Sequence, residues 1–274
     1  TSSRCAAPHR GGILERVMTS GEESEPGGLL RPLDWSRRIE EALERDLFVL
    51  HGQRIVDVAT GATMRHELFL RMVDRRRLIP AGEFVMAAEE FGSIREIDRW
   101  VVARAIEVAA TGTPVDLNLS VRSTDSAMIA LIRDRLEESG ADPADIVLEL
   151  SESQMTEGLD AAGAFVNAAT VLGCQIALDG FVEGGPDSFL LRRLPIGYVK
   201  LGSPFIDGLA ADRGKRREVS GAVLKAHRAG QRVIAQGVET LSALELLEDL
   251  GIDEAQGHAL GPPESLDSLI GASA

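Results

Sequence analysis

The sequence predicts an α/β fold in which parallel strands close into a barrel, and three observations carry this prediction. The chain has 274 residues, a length that suits one barrel of roughly 250 residues. Short apolar runs alternate with helical patterns of 10–15 residues, which is typical of parallel βα units. The number of such units favours a closed (βα)8 barrel over an open doubly wound sheet, and no G-x-G-x-x-G motif follows the first strand.

Composition excludes several classes of protein. Lys and Arg number 29 against 43 Asp and Glu, so the formal net charge is −14, and 44% of the residues are hydrophobic. The acidic balance argues against a DNA-binding protein, which needs a cationic surface to displace counterions from phosphate. The sequence lacks the long apolar run of a membrane segment, and its two cysteines suggest no disulfide framework, so we expect a cytoplasmic protein.

The first part of the chain differs from the rest. Residues 1–33 are rich in Ser, Gly, Pro and Glu and show little apolar periodicity. We predict that they form a flexible leader or linker, and that residues 34–274 form the barrel domain.

The first regular elements follow this segment. Trp35–Arg45 has helical periodicity, Leu47–Ala59 reads as a strand that ends at a Thr-Gly turn, and Arg65–Met72 reads as a second strand.

Five short apolar runs come next and have the composition of strands buried on both faces. They are Val115–Leu119, Ile146–Leu150, Gln175–Leu178, Tyr198–Leu201 and Arg232–Ala235. Amphipathic helical patterns lie before, between and after them, at Glu96–Ala110, Asp125–Ser139, Gly158–Leu172, Lys215–Ala229 and Leu241–Leu250.

Polar residues occur at or near the ends of the predicted strands. They are Asn118, Glu149, Glu152, Asp179, Lys200, Gln236 and Gln256. One such residue is more commonly a turn former or a helix cap, but several at equivalent positions indicate a site. Because the carboxyl ends of barrel strands face one mouth, these side chains are predicted to converge there. Carboxylate and amide oxygens suit Mg²⁺, Mn²⁺ or Ca²⁺.

The motifs resemble those of a known family. From Trp35 onward the chain is similar to the EAL domain, the cyclic di-GMP phosphodiesterase domain of bacteria. The matching motifs are Glu67-Leu68-Phe69-Leu70-Arg71-Met72 for E-A-L-x-R-W, Ile79–Gly92, Asn118-Leu119-Ser120 for N-x-S, Glu149-Leu150-Ser151-Glu152 for E-L-T-E, Gln53–Asp57 for Q-P-I-V-D and Gln256-Gly257 for Q-G.

The resemblance implies a TIM-like barrel whose first strand runs antiparallel, a homodimer, and two divalent metal ions acting on one phosphodiester. By similarity, one metal is held by four residues that are all present, Glu67, Asn118, Glu149 and Asp179.

The second metal of the family depends on acidic residues that this chain lacks. Those positions are Gly180 and Gln236, and the Asp of the family's K-I-D motif is Gly202. Gly180 supplies no carboxylate, and Gln236 offers a neutral carbonyl oxygen that cannot accept a proton near neutral pH. We therefore expect a degenerate member with one Mg²⁺, Mn²⁺ or Ca²⁺ ion or none. Losses of this kind cost several kcal/mol, or about 10³-fold in rate.

The resemblance also implies a ligand-binding set. Arg71 is expected to hold a ligand phosphate and Lys200 to add a point charge with a residual catalytic role. Gln53 and Gln256 are expected to hydrogen-bond guanine or ribose. Ala88 and Glu89 match the ligand groove, whereas Glu152 braces a loop in the family.

Three functions remain open. Retention of Arg71, Lys200 and Gln256 favours a non-hydrolysing cyclic di-GMP receptor that reports to a protein partner or a linked sensor or output domain. Residues 180–187 depart from the family's motif, which favours an interaction module that binds neither nucleotide nor metal. Retention of all four residues of the first metal site favours a weak phosphodiesterase that yields pGpG.

Overall fold

The computed structural model describes residues 32–75, 77–157, 159–180 and 189–271. The predicted leader lies outside these ranges except for its last two residues, which begin the first helix. Its character therefore stays a prediction.

The strands and helices follow one another along the chain as the alternation predicts. The strands are β1 (Phe48–Asp57), β2 (Thr63–Asp74), β3 (Arg77–Pro80), β4 (Val115–Asn118), β5 (Ile146–Ser151), β6 (Gln175–Asp179), β7 (Tyr198–Leu201), β8 (Arg232–Ala235), β9 (Glu254–Ala255) and β10 (Glu264–Ser265). The helices are α1 (Pro32–Glu44), α2 (Val85–Phe91), α3 (Ile94–Ala109), α4 (Ser126–Ser139), α5 (Glu152–Glu157), α6 (Leu159–Leu172), α7 (Phe189–Arg193), α8 (Ser203–Ile206), α9 (Arg213–Arg228), α10 (Ala243–Asp249) and α11 (Leu266–Gly271).

Within the described ranges, eight strands close into a ring. Strands β2, β4, β5, β6, β7, β8 and β9 pair in that order and run parallel, and β1 closes the ring by pairing antiparallel with both β2 and β9. Strand β3 extends the sheet beside β2, and β10 pairs with β1 outside the ring. The prediction of a TIM-like barrel with an antiparallel first strand is confirmed.

The parallel strands are buried because helices cover the barrel outside and side chains fill it inside. Every residue of β5 is buried, which explains its nearly continuous apolar sequence. The helices bury one stripe each, as α3 does with Ile97, Val101 and Ala105 at helical spacing. In the parts of the chain that the structure describes, no helix combines the length and apolar character needed to cross a bilayer.

The barrel interior contains a buried ion cluster below the mouth. Arg65 Nε lies 2.6 Å from Asp116 Oδ1, and its Nη2 lies 2.6 Å from Glu254 Oε2. The guanidinium carbon is also 4.2 Å from the centre of the Tyr198 ring. Burial raises the pKa of Asp116 to about 6, although the positive charge of Arg65 acts in the opposite direction. The barrel interior is therefore polar both at the predicted site and below it.

Candidate functional site

Strand β2 carries alternate residues from the barrel interior to the mouth. Arg65, Glu67, Phe69 and Arg71 share one face because successive side chains of a strand point to opposite sides. Glu67 is buried, whereas Arg71 is half-buried and lines the mouth. Arg71 Nη1 donates to the Leu70 carbonyl oxygen at 3.2 Å, and its guanidinium lies 5.7 Å from the Phe69 ring centre. The strand thus places an acid deep in the site and a cation at its rim.

Three of the four residues predicted to bind the first metal meet around a lysine. The Lys200 Nζ atom lies 2.8 Å from Glu67 Oε2 and also donates to Glu149 Oε1. Asn118 Nδ2 donates to the other oxygen of Glu67 at 2.9 Å. Lys200 and both glutamates are almost completely buried. The barrel therefore holds two carboxylates around one ammonium group, joining β2, β5 and β7.

Asp179, at the end of β6, is the fourth residue of the predicted set. Its side chain is buried at the wall of the same cavity. Asp179 Oδ1 accepts a hydrogen bond from the backbone N–H of Gly180, and Gly180 has a left-handed backbone with φ of 68°. All four predicted donors thus reach the mouth.

Glutamine side chains from β1 and from the ends of β8 and β9 form a neutral wall of the mouth. Gln256 Nε2 donates to Gln53 Oε1 at 3.2 Å, and Gln53 Nε2 donates to the Gly261 carbonyl at 2.8 Å. The Oε1 atoms of Gln236 and Gln256 are buried without a hydrogen-bond partner among the described residues. An unpaired buried acceptor costs about 1–3 kcal/mol, so a hydrogen-bond donor that reached these atoms would be favoured.

The mouth contains a cavity of about 210 Å³. Most residues of the predicted site line it, namely Gln53, Glu67, Arg71, Glu89, Asn118, Glu149, Asp179, Gly202, Gln236 and Gln256. Lys200 is fully buried, and Ala88 is buried in the hydrophobic core. Glu152 is half-buried at the start of α5, and its expected bracing of a loop stays a prediction.

Glu89 connects several parts of the cavity wall. Its Oε1 atom accepts hydrogen bonds from Ser120 Oγ at 3.1 Å and from Gln154 Nε2 at 3.2 Å. Its backbone oxygen accepts one from Arg122 Nη1 at 3.3 Å. Glu89 therefore ties α2 to the loop after β4 and to α5, besides facing the predicted ligand groove.

Asp98, Ser203 and Glu239 are among the lining residues that were not predicted as members of the site. Asp98 had a visible signal in the sequence, because it is an acid on the apolar stripe of α3, four residues after Ile94. It accepts hydrogen bonds from Ser123 Oγ at 2.5 Å and from the Ser120 N–H at 3.2 Å. Burial raises its pKa to about 7, despite these two hydrogen bonds.

The pKa of Asp98 predicts a pH-dependent stability. In the unfolded chain the carboxyl ionises near 3.8, whereas in the fold it keeps its proton up to about 7, so stability falls as pH rises between these values. We expect Asp98→Asn, which mimics the protonated form, to reduce the part of this fall between pH 5 and pH 8 by about 1–3 kcal/mol. Urea unfolding of both proteins at pH 5 and pH 8 measures the difference. If the stability of the two proteins depended on pH in the same way, the raised pKa of Asp98 would be refuted.

The fit of the mouth to a divalent cation depends on both the chemistry and the arrangement of its donors. Three carboxylates and an amide oxygen have the right chemistry for a hard cation. Their arrangement does not fit one, because Lys200 occupies the space between Glu67 and Glu149 and Asn118 turns its amide nitrogen toward Glu67. Across the described ranges, no three His, Cys, Asp or Glu side chains are gathered closely enough to hold a metal ion.

Comparison with known proteins identifies relatives of this barrel. Residues 36–263 match the EAL domain family model. The signaling protein YkoW of Bacillus subtilis is 31% identical over 244 residues, which are 85% of this chain and 30% of YkoW. The bifunctional diguanylate cyclase/cyclic di-GMP phosphodiesterase MucR of Pseudomonas aeruginosa is 29% identical over 86% of this chain and 36% of MucR. The chain thus spans about a third of the length of these two relatives.

Solved structures show the same relationship. The MucR phosphodiesterase in complex with c-di-GMP superposes with a TM-score of 0.80 at 28% identity, covering 86% of this chain and 99% of that one. The FimX EAL domain of Xanthomonas citri, also in complex with c-di-GMP, has a TM-score of 0.80 at 28% identity and covers 86% of this chain and 95% of that one. The match to the family model and the shared barrel agree, and the chain belongs to the EAL domain family.

Proposed function

We propose that this EAL domain binds cyclic di-GMP at the barrel mouth and hydrolyses it slowly or not at all, and so acts as a receptor. One observation carries the proposal. The second-metal positions hold Gly180 and Gln236, while the carboxylates of Glu67 and Glu149 are already paired with the Lys200 ammonium.

Nucleotide binding is supported by the relatives and by this chain's own residues. The MucR phosphodiesterase and the X. citri FimX EAL domain, which share this barrel, are both described as complexes with c-di-GMP. Here Arg71 offers a planar guanidinium at the rim for phosphate, and the amides of Gln53 and Gln256 line the neighbouring wall, formed by β1 and the end of β9. Such groups bind a cyclic dinucleotide without needing to cleave it.

Weak catalysis follows from the charges at the mouth. A two-metal mechanism stabilises the attacking and leaving oxygens with a pair of cations about 3.5–4 Å apart. A second cation would meet a neutral amide at Gln236 and no side chain at Gly180. We therefore propose that the second metal site is absent.

Calorimetry with cyclic di-GMP, alone and with Mg²⁺, Mn²⁺ or Ca²⁺, tests the receptor directly. Saturable heat in the absence of turnover supports the receptor. No heat at high micromolar nucleotide supports the alternative of an interaction module that binds neither nucleotide nor metal. In parallel, labelled cyclic di-GMP is incubated with Mn²⁺ and assayed for pGpG. Product that disappears in Glu67→Ala would identify a slow phosphodiesterase.

Arg71 provides a prediction about binding. Arg71→Ala is expected to weaken cyclic di-GMP binding by about 10- to 100-fold, because a charged hydrogen bond to phosphate contributes about 1.5–3 kcal/mol. Arg104→Ala is the matched control, since Arg104 is exposed on α3 and pairs with Glu107. Equal affinities of the two variants would contradict a phosphate contact by Arg71.

The receptor needs a means of reporting the nucleotide. The chain spans about a third of YkoW and MucR, so we propose that a linked domain or a protein partner receives the signal. We also propose a homodimer, as the resemblance implies. The molar mass in solution, measured by light scattering with and without cyclic di-GMP, tests the dimer.

A further inference from the structure

We infer that Lys200 supplies, as an ammonium tethered to the barrel, the positive charge that a first divalent cation would otherwise provide at the mouth. The chain should therefore bind metal ions weakly at this site and bind nucleotide without them. The expectation that nucleotide binds without metal rests on the proposed function, whereas the expectation of weak metal binding does not depend on it.

The geometry of the three side chains is the first support. The Lys200 Nζ atom bonds to both Glu67 and Glu149, which is the position that a cation shared by these two carboxylates would take. All three side chains are at most 1% exposed, so water screens their attraction little. A divalent cation would have to displace this ammonium from both partners.

Asn118 is arranged for the ammonium rather than for a metal. Its Nδ2 atom donates to Glu67 Oε1 at 2.9 Å, so that carboxylate receives hydrogen bonds on both oxygens, one from Asn118 and one from Lys200. A metal bound by the Asn118 carbonyl oxygen would require this amide to turn and to give up its hydrogen bond.

The count of carboxylates decides the competition between the two kinds of cation. Coulomb attraction scales with the product of the charges, so each missing carboxylate costs a divalent cation about twice what it costs an ammonium. Gly180, Gly202 and Gln236 bring no charge to the mouth. Where such acids are missing, the balance moves from a free divalent ion toward the lysine that is already present.

The kind of cation at this position suits two carboxylates. Lysine occurs three times among the chain's 29 basic residues, at positions 200, 215 and 225, and the others are arginine. Lys200 is fully buried, whereas Lys225 is exposed on α9. A compact ammonium fits between two carboxylates as a point charge, which the planar arginine fork does not.

Calorimetric titration with Mn²⁺ in the absence of nucleotide tests the inference. Lys200→Ala is expected to bind Mn²⁺ at least about tenfold more tightly than the wild type, which corresponds to about 1.4 kcal/mol. Lys225→Ala carries the same change of charge outside the barrel and should behave as the wild type. Equal Mn²⁺ affinity of the wild type and Lys200→Ala would overturn the inference.

A second variant covers the risk that Lys200→Ala does not fold, since removal of the lysine takes an ion-pair partner from two buried glutamates. Lys200→Gln keeps a hydrogen-bond donor but removes the charge, and it should also gain Mn²⁺ affinity. A rise in the melting temperature of either variant with Mn²⁺, absent in the wild type, supports the same conclusion. Mn²⁺ stabilisation of the wild type equal to that of the variants contradicts it.

A second experiment compares the affinity of the wild type for cyclic di-GMP in EDTA and in Mn²⁺. Similar affinities support a tethered cation, and loss of binding in EDTA overturns it. If no nucleotide binds under either condition, the proposed function fails, and the Mn²⁺ titrations still decide the role of Lys200.

Discussion

The double variant Gly180→Asp/Gln236→Glu is expected to hydrolyse cyclic di-GMP on the order of 10²-fold faster than the wild type in Mn²⁺. The two substitutions add two carboxylates at the mouth, one directly after Asp179 in the chain and one at the end of β8, and so restore the charge that a second divalent cation needs. They also raise the negative charge near Lys200, which should favour metal binding at Glu67 and Glu149. Release of pGpG from labelled nucleotide measures the rate, and a Mn²⁺ titration measures the metal affinity.

The backbone at Gly180 limits the expected gain. Its φ of 68° is left-handed, a conformation that costs an L-amino acid about 1–2 kcal/mol, although Asp and Asn tolerate it better than most residues. Gly180→Asn/Gln236→Glu is the matched control, because Asn has the shape of Asp and a similar tolerance of this backbone but carries no charge. A double variant that binds cyclic di-GMP but hydrolyses it no faster than this control would show that the missing carboxylates do not explain the defect.

The sequence predicted the apolar strands of the barrel well. The runs Tyr198–Leu201 and Arg232–Ala235 coincide with β7 and β8, because strands buried on both faces have a distinctive apolar composition. Strands without such a run were missed. Strand β9 is two residues long and polar in part, and β3 is added at the edge of β2, so neither has a usable periodicity.

The positions of the site residues were predicted better than their contacts. Ten residues of the predicted site do line one cavity at the barrel mouth. The sequence did not show that Lys200 lies between Glu67 and Glu149, which are 133 and 51 residues away from it. Barrel closure creates these contacts, and no local pattern specifies which strand ends will face one another. For the same reason Lys200 was expected to contact the ligand as a point charge, whereas the structure buries it.

The ion cluster of Arg65, Asp116 and Glu254 predicts a large loss of stability. Arg65→Met is expected to lower the free energy of unfolding by about 3–5 kcal/mol at pH 8, because buried Asp116 loses its paired cation and buried Glu254 keeps only Arg232, whose Nε lies 3.1 Å from Glu254 Oε1. Without Arg65, Asp116 can become neutral by taking up a proton, so the loss should be smaller at pH 5. Urea unfolding of the variant and the wild type at both pH values measures these differences.

Two controls separate burial from charge in this prediction. Arg104→Met removes an arginine whose ion pair with Glu107 is exposed, and it should change stability by at most about 1 kcal/mol. Arg65→Met/Asp116→Leu/Glu254→Met replaces the whole cluster by apolar side chains and should recover much of the stability, because no buried charge then lacks a partner. A loss in the triple variant as large as in Arg65→Met would show that packing, and not unpaired charge, makes the cluster necessary. The charges of Lys200 and Glu67 both act on the pKa of Asp116, so the cluster and the mouth are coupled electrostatically.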